Sequence, residues 1–112
     1  MRNKKRYRVY LMAVLGTSIL LQHGCVTVKL TEGGERARVL RPEDVVRCER
    51  LGKTTVSVQD RVIGIPLAKS KVQRDLNNLA RNSSINMGGD SVVPMSEPNA
   101  GEQVFEVYKC LP

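Results

Sequence analysis

Between residues 70 and 87 the apolar and small positions recur at helical spacing. Val72, Leu76, Leu79, Ala80, Ser83 and Met87 fall on one face of a 3.6-residue period, while Lys71, Arg74, Asn78, Arg81 and Asn82 fall mainly elsewhere. Ser70 and Gln73 have the spacing of a capping box, and Gly88-Gly89 offers a left-handed stop. On either side the period shortens. Residues 36–40 (RARVL) alternate as a strand does, and residues 45–58 hold a second strand in which Gly52 marks a bulge or bend. Residues 91–95 and 103–110 (QVFEVYKC) read as two more, joined by a hairpin turn at Pro98-Asn99-Ala100-Gly101. Residues 60–69 (DRVIGIPLAK), with Gly64 and Pro66, read as irregular. The pattern predicts an α+β domain over residues 36–112: a small antiparallel sheet with one helix packed on one face, in the order strand, strand, helix, strand, strand.

Ahead of this domain the pattern changes. Five of the 18 basic residues (Arg2, Lys4, Lys5, Arg6 and Arg8) crowd the first eight positions, and a mostly apolar run comes next over residues 9–21. As a helix that run rises only about 20 Å, short of a hydrocarbon core of roughly 30 Å, so a secretion signal over residues 1–24 fits better than a permanent span. Residues 25–35, with Gly33-Gly34 and few bulky side chains, read as a tether.

The net charge of +7 belongs largely to that leader. From Cys25 onward 13 basic residues face 11 acidic ones, and the chain has no Trp and one Phe. Neither the basic field nor the stacking surface of a nucleic-acid binder is expected. The one histidine, His23, lies in the leader, so Ser–His and Cys–His catalysis and His-ligated zinc are not expected in the exported part, and no cofactor is implied. Glu43-Asp44 sits in a turn after Pro42 and reads as solvated rather than catalytic. Gly88-Gly89-Asp90 comes after a helix instead of opening one, which excludes a phosphate loop.

The apolar run ends without an A-x-A-like cleavage site. It leads instead into Leu21-Gln22-His23-Gly24-Cys25, which resembles the lipobox of bacterial lipoproteins. Gly24 and Cys25 match, whereas Leu21 lies one place too far upstream and His23 replaces a small residue. The resemblance implies cleavage before Cys25 and acylation of that cysteine; a soluble secreted protein and an uncleaved anchor are the alternatives. Val26, where enteric sorting rules place Asp for inner-membrane retention, implies the outer membrane. With Cys25 acylated, Cys48 and Cys110 remain as an even pair in an oxidising compartment, to be bridged or left as two buried thiols.

Residues 79–94 (LARNSSINMGGDSVVP), 101–110 (GEQVFEVYKC) and 48–53 (CERLGK) together resemble the bacterial lipoproteins grouped as domain of unknown function 4156. That resemblance implies the paired cysteines and an envelope location, and it implies no activity. The layout is also distantly similar to the outer-membrane stress-sensor lipoprotein of the Rcs phosphorelay, a likeness of architecture alone. The expected function is therefore a non-enzymatic, periplasm-facing binding or sensing module, with the membrane and an envelope protein as partners. The expected partner surface is the helix face of Arg74, Asn78 and Arg81, or the 60–68 loop with Val62, Ile63, Ile65 and Leu67. The alternative is a structural envelope component that contacts an anionic glycan or lipid through Arg36, Arg38 and Arg41, the first two sharing one side of a strand.

Overall fold

The computed structural model describes residues 27–112, so the leader read over residues 1–24 and the acylation candidate Cys25 lie outside the described residues. In chain order the elements are α1 (Glu32–Arg36), β1 (Arg38–Val39), a 3-10 turn (Pro42–Asp44), β2 (Glu49–Ser57), β3 (Arg61–Val62), β4 (Ile65–Pro66), α2 (Lys69–Asn86), β5 (Ser91–Pro94) and β6 (Glu102–Lys109). The fold is α+β. Its main sheet has the order β1-β5-β6-β2, and β3 and β4 form a separate hairpin.

The sheet is mixed rather than antiparallel. β2 and β5 both run antiparallel to β6, but β1 runs parallel to β5, with Arg38 opposite Ser91 and Val39 opposite Val92. The reason lies in the helices. α1 packs near the C-terminal part of α2, so β1 and β5 each leave a helix at the same end of the sheet and must travel the same way. Along β6 the burial alternates: Gln103, Phe105 and Val107 are buried, while Val104, Glu106 and Tyr108 are half-exposed. Phe105 and Val107 meet Val72, Leu76 and Ala80 of α2, together with Val56 and Val92. Each such side chain, fully buried, contributes about 1.5–3 kcal/mol relative to exposure. The expected bulge in β2 is present as a register shift between Arg50 and Gly52.

Three local expectations change. The capping box does not form, because α2 begins two residues early, with Ala68 in place of Ser70 as its N-cap and no side-chain cap. Gln73 instead donates to Gln103 Oε1 at 2.8 Å and to Asn77 Oδ1 at 2.9 Å, tying the helix to β6. The tether is folded over much of its length. Thr31 caps α1 by accepting from the Gly34 amide at 2.9 Å, and Gly34 sits so close to Asn82 that a Cβ there would collide with its side-chain oxygen. The irregular 60–69 stretch contains the β3–β4 hairpin, which pairs Arg61 with Pro66 and Val62 with Ile65. The turn after α2 is as expected, with Gly88 left-handed at φ 79°.

Candidate functional site

The nine residues of β2 run about 26 Å and separate two unlike ends of the domain. At the first end, Cys48 just before β2 and Cys110 just after β6 are joined by a disulfide, their Cα atoms 4.5 Å apart. Beside it Asp90 gathers donors: the backbone amides of Cys110 at 2.9 Å and Leu111 at 2.8 Å, and the Ser91 hydroxyl at 2.9 Å. Burial works to raise the Asp90 pKa, but the Cys110 and Leu111 amides, the Ser91 hydroxyl and the nearby Arg38 charge outweigh it, and the carboxyl lies below its ordinary value. On the sheet surface away from α2, Glu106 accepts from Arg50 Nε at 3.1 Å and from the Tyr108 hydroxyl. The Tyr108 bond is the foremost cause of a lowered Glu106 pKa, and Glu106 in turn raises that of Tyr108.

The second end is built differently. The β3–β4 hairpin stands beside the start of α2, pinned at its base by the Leu67 amide donating to the Asp60 carbonyl at 2.8 Å. Open clefts flank it on both sides. A larger one, of about 540 Å³, lies between the hairpin, the first turn of α2 and the Glu97–Gly101 turn. A smaller one, of about 290 Å³, is walled by Val28, Val58, Val62, Leu67 and Leu79, with Asp75 and Lys71 as its charged lining. Leu67 lines both.

Asp75 is the unusual group here. Its residue surface is 3% exposed. Lys71 Nζ donates to Oδ2 at 2.8 Å, while Oδ1 accepts no hydrogen bond among the described residues and has only the Arg74 guanidinium at 3.9 Å. A buried carboxylate oxygen without a donor is rare, because losing hydration without replacement is costly.

The residues singled out from sequence fall on several elements. Arg36 closes α1 instead of sharing a strand side with Arg38, and Arg41 is paired with Glu43 and Asp44, each at 3.4 Å. The three arginines are exposed, on a helix end, a strand and the start of a 3-10 turn respectively. Of Arg74, Asn78 and Arg81 on α2, only Arg74 is exposed. Asn78 donates to the Val28 carbonyl at 3.1 Å, and Arg81 donates to the carbonyls of Ala37 at 2.7 Å and Glu35 at 3.2 Å. With Asn82, which donates to the Lys29 carbonyl at 2.9 Å, they clasp the N-terminal segment, so the expected partner face is internal at two of its three positions. The 60–68 apolar residues divide. Leu67 packs against the core and Val62 is half-buried, whereas Ile63 is 95% exposed and Ile65 69%.

Sequence reading missed Asp75 and Asp90. The signal for Asp75 was present: it lies three residues after Val72 on the apolar face, four after a lysine that can neutralise it.

Residues 28–110 match a family described as a domain of unknown function (DUF4156). The match opens at Val28, whose carbonyl accepts from Asn78 of α2. No curated protein and no solved structure matches the chain.

Proposed function

The chain belongs to the DUF4156 family, and on that premise we propose that it is a non-enzymatic lipoprotein of the bacterial envelope. In this reading Cys25 carries the lipid, the outer membrane holds the anchor, and the folded part is a periplasm-facing binding or sensing module. The observation that carries it is the Cys48–Cys110 disulfide. Such bonds persist where thiols are oxidised, outside the cytosol, and residues 1–24 have the cationic and apolar order of an export signal. The binding half of the reading is supported by the apolar cleft around Asp75. The alternative, an Arg36–Arg38–Arg41 contact with an anionic glycan or lipid, has less support now that Arg41 is paired with its own neighbours.

Metabolic labelling with a fatty acid tests the anchor. Wild type is expected to take up label and fractionate with the outer membrane, while Cys25→Ser is expected to lose the label and accumulate as precursor. A processed protein without acyl label in either strain sinks the reading.

A further inference from the structure

The exposed isoleucines of the β3–β4 hairpin are unexplained by folding. Ile63 has φ 50°, a left-handed conformation that a β-branched side chain resists, and it is 95% exposed. Strain at this turn is therefore offset by no packing within the domain, and Ile65 beside it is also mostly exposed. A partner that covers the tip supplies what the fold does not.

The path of the N-terminal segment says what that partner is. Gly34 lies against Asn82, Lys29 accepts from Asn82, and Val28 accepts from Asn78. Val28 then shares a cleft with Asp75, Lys71 and Val62. From Gly33 and Gly34 to Val28 the segment thus passes from Ile85 and Asn82 to Asn78, in the direction of the first turn of α2, where the hairpin stands. Cys25 is three residues before Val28, a reach of at most about 11 Å. The same end is basic: residues 60–75 carry Arg61, Lys69, Lys71 and Arg74 against Asp60 and Asp75. Arg61, Lys69 and Arg74 are exposed.

We propose that the hairpin tip, Ile63 and Ile65, seats in the surface of the bilayer that anchors Cys25, with Arg61 and Lys69 facing anionic headgroups. This rests on the lipid-anchor reading above. The tip gives the domain a second membrane contact, which fixes its orientation and turns the disulfide end away from the lipid.

The chain has no tryptophan, so one inserted indole is a clean reporter. Ile65→Trp and Val46→Trp are made in the acylated full-length protein; Val46 is 81% exposed and lies at the disulfide end. Each is reconstituted in vesicles of phosphatidylethanolamine and phosphatidylglycerol with brominated acyl chains. The expected result is co-flotation of both, with Ile65→Trp quenched several-fold more than Val46→Trp. Co-flotation with equal quenching overturns the hairpin contact and leaves the anchor standing. Failure to float overturns the anchor, and the proposal with it. In the unaltered protein, hydrogen exchange over residues 61–66 is expected to slow on vesicles while that over residues 45–48 does not; equal behaviour overturns the contact without relying on a variant. A photo-crosslinker at position 63 that yields a discrete protein adduct in cells instead of lipid assigns the tip to a protein and also overturns it.

Discussion

The two ends of the sheet solve the same problem, how to finish a small domain, in opposite ways. At the disulfide end the loose groups are satisfied internally: Cys48 is bonded to Cys110, and Asp90 receives two amides and a hydroxyl. At the hairpin end they are left over: two isoleucines face outward, Ile63 is held left-handed, and Asp75 Oδ1 has no donor among the described residues. One end is closed by bonds within the domain, and the other leaves apolar surface exposed. Binding surfaces are commonly drawn from the less tightly held parts of a fold.

The largest effect should come from opening the closed end. Cys48→Ala and Cys110→Ala should each lower unfolding free energy by about 2–5 kcal/mol, and the double variant by no more than either, because both remove one link. Urea denaturation of the three variants checks this; additive losses would mean that the cysteines stabilise separately.

Next comes Asp90→Ala, expected to cost about 2 kcal/mol, since it strips an ionised acceptor from the Cys110 and Leu111 amides. This effect should depend on pH in a defined direction. The folded-state pKa lies below its ordinary 3.8, so the contribution is fully present above that value and is lost as pH falls through the lower folded pKa. Wild type and variant should therefore converge in acid. A stability difference that stays constant from neutral pH down through the carboxylate range would show that the ionised form is not what holds the terminal strand.

The smallest change should have the opposite sign. Ile63→Gly should stabilise the isolated domain by about 0.5–1 kcal/mol, because glycine accepts the left-handed conformation and no buried contact is lost. Thermal melting checks it. A destabilised variant would show that Ile63 packs in solution and that the two ends are less different than their burial indicates.

Legibility in the sequence divides along the same line. α2 and β6 are evident because each keeps one period for two or more turns of its pattern, and because their buried faces meet each other. The hairpin is not, since strands of two residues interrupted by Gly64 and Pro66 are too short for alternation to register. Neither is α1, whose sequence EGGER is a poor helix former; Thr31 and the Asn82 clasp hold it from outside. α2 carries four asparagines, none of them among the apolar and small positions that define its face in sequence. Two of them, Asn78 and Asn82, are four residues apart on one side of the helix and form a ladder for the N-terminal backbone. The candidate cleft is half legible: its apolar wall is readable in Leu67 and Val62, but Asp75 is hidden within a face defined by its hydrophobic neighbours.

The disulfide closes a covalent ring over residues 48–110, and the segment before Cys48 lies outside it. Tension applied at the N-terminus therefore meets no covalent stop until residue 48. Among the described residues it meets the Asn78, Asn82 and Arg81 bonds, which hold Val28, Lys29 and Ala37 at successive points of the segment. Detaching residues 28–37 lengthens the free strand by up to about 35 Å while the ring, with α2 and β6 inside it, keeps its shape.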